Sequence, residues 1–157
     1  MWGYMNGQIE ATRRTSVIDR LVQAMNEHDL EALVDCFDEG YLNETPVHPH
    51  RGFRGNEQVR QNWTQILAAV PDLSAQVLRM ADDGNRVWTE WDISGIRRDG
   101  ALFQMAGVAI FGLEAPKVTS ARFYLEPVEQ TSGDVNTAIS RMLGVRPPGT
   151  ETPEEAL

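Results

Sequence analysis

Apolar side chains recur at helical spacing in the first part of the chain and at strand-like spacing after Pro71. From Thr15 onward, Val17, Ile18, Leu21, Val22 and Met25 fall on one helical stripe, which ends at Asn26-Glu27-His28. Asp29 is suited to cap a second helix with Leu30, Leu33, Val34 and Phe37 facing inward and Gly40 as its stop. Pro46, Pro49, Gly52 and Gly55 then punctuate an extended piece and a loop over residues 41–55. Asn56 reads as the cap of a third helix, with Val59, Trp63, Ile66, Leu67 and Val70 inward. Pro71 prevents that helix from continuing. Four strand-length runs follow: Leu73–Met80, Arg86–Ile96, Ala101–Leu113 and Val118–Val128. The turn signals between them predict an antiparallel meander. Asp134 predicts the cap of a last helix, Val135–Leu143. Residues 1–11 predict a flexible N-terminus and residues 12–145 a single domain. Residues 146–157, with three prolines and three glutamates, predict a disordered tail. Helices followed by a meander predict an α+β fold with helices on one face of an antiparallel sheet.

Composition narrows what such a domain does. The 157 residues are 41% hydrophobic and 24% charged, ordinary values for a globular domain. Acidic side chains number 23 against 14 basic ones, a formal charge of −9. That balance argues against nucleic acid and against an anionic membrane surface as partners. Cys36 is the one cysteine, so no intramolecular disulfide and no cysteine zinc cluster is expected. No apolar run approaches the ~18 residues of a membrane span, and no secretory leader is legible. The expectation is a cytoplasmic protein.

Several local phrases carry more information. They are Asn26-Glu27-His28-Asp29-Leu30-Glu31-Ala32-Leu33, Gly52-Phe53-Arg54-Gly55, Val87-Trp88-Thr89-Glu90, and Lys117-Val118-Thr119 through Tyr124. Their order and spacing resemble the NTF2-like superfamily, in particular its SnoaL-like and limonene-epoxide-hydrolase-like branch, over residues 12–128. The resemblance implies a curved sheet wrapped as a cone around a cavity, with three N-terminal helices closing the wide side. Members include polyketide cyclases, epoxide hydrolases, ketosteroid isomerases, dehydratases and binding modules, so the fold alone does not select an activity. Tyr41-Leu42-Asn43 matches the Tyr-x-Asn with which family epoxide hydrolases hold a nucleophilic water. The family's Arg-x-Asp pair falls on Trp91 and Ile93, and its last-strand carboxylate falls on Phe123. All three charged positions are therefore apolar in this chain.

Strand alternation puts Thr89, Trp91 and Ile93 on one face, Met105, Gly107, Ala109 and Phe111 on another, and Phe123 and Leu125 on a third. Under the resemblance these faces line the cavity, together with Trp63 and Leu67 from the third helix. Gly107 is expected to leave room for the ligand. A one-residue slip would instead turn Trp88, Glu90 and Asp92 inward, and likewise Arg122, Tyr124 and Glu126. Tyr41 and Asn43 share a strand face and suit hydrogen bonding to a ligand oxygen or a water. Histidine is the side chain that serves as a general acid or base near neutral pH, which makes His48 and His50 candidates to move a proton. A His-x-His metal site would need a third ligand that the sequence does not identify, so no metal and no cofactor are expected. The resulting expectation is a cofactor-independent enzyme acting on a small hydrophobic, oxygenated metabolite by cyclisation, isomerisation or hydration, including epoxide opening. Its catalytic candidates are Tyr41, Asn43, His48 and His50. The alternative is a binding or assembly module that kept the cavity and lost the carboxylates. A homodimer through the outer sheet face is also expected.

Overall fold

The computed structural model describes residues 2–131 and 133–149. Helix α1 (Trp2–Glu27) buries the predicted stripe of Val17, Ile18, Leu21 and Met25, together with Ala24. It starts well before Thr15, and its first nine residues, Trp2–Glu10, are exposed. That part of the helix continues the backbone ladder of the packed part without burying a face of its own. At the other end His28 takes a left-handed conformation, φ 55°. The Asp29 N–H then bonds back to the Ala24 carbonyl, so the helix stops where the apolar stripe ends.

Asp29 caps helix α2 (Leu30–Asp35) by accepting the Ala32 N–H at 3.0 Å. This helix ends at Asp35 and not at Gly40, and Phe37 belongs to strand β1 (Phe37–Glu44). The cause is non-local. Strand β6 (Lys117–Pro127) draws the segment into the sheet: Val118 N–H bonds the Cys36 carbonyl at 2.7 Å, and Phe37 pairs with Val118. A 3-10 turn (Pro49–Arg51) and the short strand β2 (Phe53–Arg54) lead to helix α3 (Asn56–Ala69). Gly55, with φ +89°, occupies the cap position expected for Asn56, whose amide instead donates to the Phe37 carbonyl. Strands β3 (Ser74–Asp82), β4 (Val87–Ile96) and β5 (Leu102–Glu114) then form the predicted meander with β6. Helix α4 (Val135–Leu143) follows, capped by Asp134 as expected.

The sheet order is β2-β1-β6-β5-β4-β3. It is antiparallel except that β1, whose pairing the sequence does not specify, runs parallel to β6. Helices α1 to α3 cover one face of this curved sheet, and the core lies between the two layers. Asn26 joins the layers at the edge strand: its amide donates to the Ala75 carbonyl at 2.9 Å and its carbonyl accepts the Ala75 N–H at 2.7 Å. Among the described residues no helix is long and apolar enough to cross a membrane.

Gly107 faces a different neighbour from the one expected. It has φ +142°, and a Cβ there would stand 2.1 Å from the Tyr124 carbonyl oxygen and 3.0 Å from Leu125 Cα. The missing side chain accommodates the backbone of β6, not a ligand. Gly107→Ala is therefore expected to lower stability by roughly 2–4 kcal/mol through overpacking and backbone strain. Urea denaturation measures this, and an unchanged midpoint would show that the close approach is not constraining.

Arg14 of α1 grips Asp82 at the end of β3 through two hydrogen bonds, 2.8 and 3.0 Å. The guanidinium, helped by the Gly84 N–H, holds the Asp82 carboxyl below the usual carboxylate range. A lowered folded value means the contact stabilises the fold above the unfolded carboxylate value of about 3.9 and fades as pH falls through the folded one. Asp82→Asn is expected to lower stability at neutral pH and to flatten the acid limb of the stability profile, read by thermal melts between neutral and acid pH.

Candidate functional site

Between α3, β1, β2 and the inner faces of β5 and β6 lies a cavity of about 290 Å³. Its apolar wall includes Phe53, Trp63, Ile66, Met105, Phe123 and Leu125. Strand alternation aims Phe123 and Leu125 inward from β6, while Arg122, Tyr124 and Glu126 take the other face.

Tyr41 and Asn43 form the buried polar end of the cavity, with 1% and 7% of their surface exposed. Asn43 Nδ2 donates to Tyr41 Oη at 2.9 Å. The Tyr41 ring is held edge-on by Phe37 and Phe53, with centroids 4.8 and 6.0 Å away. Burial pushes the Tyr41 phenol well above its ordinary value, outweighing the opposing Asn43 hydrogen bond. The phenol is thus a donor at neutral pH and not a base. Its oxygen already accepts from Asn43, so its hydrogen is available to an oxygen in the cavity.

The more exposed lining of the cavity includes Thr45, Arg51 and Asn62, none of which stands out in the sequence. Thr45 and Arg51 belong to an irregular turn, and Asn62 lies just beside the helical stripe marked by Trp63. No periodic signal distinguishes such positions.

The other predicted site residues are placed as follows. Trp91 and Ile93 face inward but are buried in the core and do not line the cavity. The Trp91 indole donates to Thr89 Oγ1 at 2.6 Å. Leu67 is half-buried on α3 and also lies outside the lining set. His48 Nε2 is 3.0 Å from Glu126 Oε1, on the face of β6 opposite Phe123 and Leu125. His50 is exposed in the 3-10 turn. Neither histidine lines the cavity. The slipped register is not adopted. Trp88 is 45% exposed on the outer face, whereas Thr89 and Trp91 are buried. Among the described residues, no three His, Cys, Asp or Glu side chains are grouped to hold a metal.

The family model of the SnoaL-like domain matches residues 18–121. The chain belongs to the SnoaL-like family. No curated protein sequence matches it. Solved structures similar to this SnoaL-like chain include an epoxide hydrolase of the limonene-epoxide-hydrolase type from M. tuberculosis. That protein is 16% identical with TM-score 0.63, and the alignment covers 73% of this chain and 84% of that one. A Jannaschia sp. CCS1 protein named for the SnoaL-like polyketide cyclases is 16% identical with TM-score 0.61, over 73% of this chain and 86% of that one. A protein of ketosteroid isomerase-like fold from Catenulispora acidiphila is 14% identical with TM-score 0.60, over 69% of this chain and 84% of that one. At these identities the likeness concerns the fold.

Proposed function

We propose that this SnoaL-like domain takes a small, mainly apolar molecule bearing one or two oxygens into the cavity. There it converts the molecule without a cofactor, by cyclisation, isomerisation or hydration, including epoxide opening. The observation that carries this reading is the buried Tyr41–Asn43 pair at the end of an apolar cavity. In the proposed mechanism Tyr41 donates its phenolic hydrogen bond to a carbonyl, enolate or epoxide oxygen, and Asn43 fixes the direction of that donor. A donor aimed at developing negative charge in a water-poor site lowers the barrier electrostatically. The apolar walls orient and fold the substrate. The histidines, first candidates for the proton step, stand outside the cavity and have no part in this mechanism.

A second reading, a non-catalytic ligand-binding module, draws on one specific observation: among the described residues no carboxylate and no histidine lines the cavity. A cytoplasmic setting fits both readings, since the one cysteine, Cys36, is buried and unpaired. We also propose a homodimer through the outer sheet face. Glu90, Val108 and Tyr124 form one cross-strand row there, and Trp88, Ile110 and Arg122 the next. Trp88 and Tyr124 leave 45% and 38% of their surface exposed.

Native mass spectrometry of the protein purified from its host names the ligand. On that ligand, Tyr41→Phe is expected to lower turnover at least ~10-fold, about 1.4 kcal/mol of barrier. Unchanged turnover removes Tyr41 from the mechanism, and release of the ligand unaltered favours the binding module. Light scattering at micromolar concentration is expected to give twice 17.6 kDa. Val108→Lys, at the centre of the outer face, is expected to give the monomer mass, whereas a monomeric parent protein would refute the dimer.

A further inference from the structure

We infer that the ligand of this cavity is a monocarboxylate, held with its apolar body in the cavity and its anionic group at the Arg51 end. The inference rests on reading the cavity as a small-molecule site and adds the chemical class of the occupant. Among the described residues, Arg51 is the only charged one that lines the cavity. This occurs in a chain of 23 acidic and 14 basic side chains, where an acidic lining would be the default. Arg14, Arg60, Arg79, Arg97 and Arg122 each pair with a carboxylate. The Arg51 side chain has neither an ion pair nor a hydrogen bond with any described residue.

The surroundings of Arg51 favour an acceptor. The turn that carries it is tied on itself. Arg51 N–H and the Thr45 hydroxyl both bond the His48 carbonyl, at 2.9 and 2.7 Å, and His48 N–H bonds the Thr45 carbonyl at 2.8 Å. The Thr45 hydrogen is thereby engaged. Asn62 Oδ1 accepts from Gln58 Nε2 at 2.9 Å, which leaves the amide of Asn62 as a donor. The more exposed lining therefore offers a guanidinium fork and an amide N–H, with no acid to compete for them. A guanidinium matches a carboxylate in geometry as well as charge. At a water's share of about 30 Å³, the ~290 Å³ cavity takes a body of about ten non-hydrogen atoms. The buried end adds the Tyr41 donor, so the occupant meets hydrogen-bond donors at both ends and hydrocarbon between.

Three probes of matched body and different charge test this: phenylacetate, phenylethanol and phenylethylamine, titrated by calorimetry at low salt into the parent chain and Arg51→Gln. Phenylacetate is expected to bind the parent about tenfold tighter than phenylethanol, and phenylethylamine to bind weakest. Arg51→Gln is expected to bring phenylacetate down to phenylethanol, whose own affinity stays within about twofold. The preference in the parent is expected to shrink as salt is raised. Equal binding of acid and alcohol to the parent, or a preference that survives Arg51→Gln, overturns the inference and leaves the cavity reading standing. Failure of all three to bind at millimolar concentration overturns both.

Discussion

A buried hydrogen-bond chain sets the parity of the sheet. Trp91 Nε1 donates to Thr89 Oγ1, and Thr89 donates in turn to the Ala109 carbonyl at 2.7 Å. An indole N–H left without a partner inside the core would cost about 1–3 kcal/mol. The contact therefore holds Thr89 and Trp91 on the covered face of β4, and a slip by one residue would bring Glu90 and Asp92 into hydrocarbon. The pairing passes the same parity to β5 and β6, where Met105, Phe123 and Leu125 face in and Tyr124 and Glu126 face out. The apolar wall of the cavity and the charged outer face of the sheet are two consequences of that one choice.

The chemistry of the cavity follows from this partition. In a chain with a formal charge of −9, none of the carboxylates of the described residues stands on the cavity wall, where the polar groups are a phenol, two amides, a hydroxyl and one guanidinium. These groups donate and orient. None of them is a general base at neutral pH, because burial keeps the Tyr41 phenol protonated and a guanidinium stays charged. Such a site acts on a ligand through its oxygens, by hydrogen bonding and by shape. The anionic occupant inferred for the Arg51 end would also supply the one negative charge that the lining lacks.

Long-range contacts decide where local elements stop. The segment after Asp35 has an apolar residue at helical spacing, Phe37, and so reads as more helix. It becomes strand because β6 offers it a parallel edge, and that pairing is what carries Tyr41 and Asn43 to the wall of the cavity. His28 ends α1 at the expected place, and there its Nε2 lies 2.9 Å from the Leu73 carbonyl. The Asn26 amide beside it grips Ala75. The phrase Asn26-Glu27-His28-Asp29 thus serves helix termination, the attachment of β3 and the cap of α2 in consecutive residues.

By itself the sequence determined the helical stripes, the Asp29 and Asp134 caps, the four-stranded meander, and the placing of Tyr41 and Asn43 on one strand face; which face of β4 and β6 turns inward it left open. These depend on periods of two and 3.6 residues and on capping chemistry, which neighbours along the chain specify. Only the tertiary structure decided that β1 pairs in parallel with β6. It also decided that Gly107 yields to the β6 backbone, that His48 meets Glu126 outside the cavity, and that Arg51 and Asn62 both line the cavity. Each of these joins segments far apart in the chain or lies in an irregular turn, where no local repeat encodes the direction of a side chain.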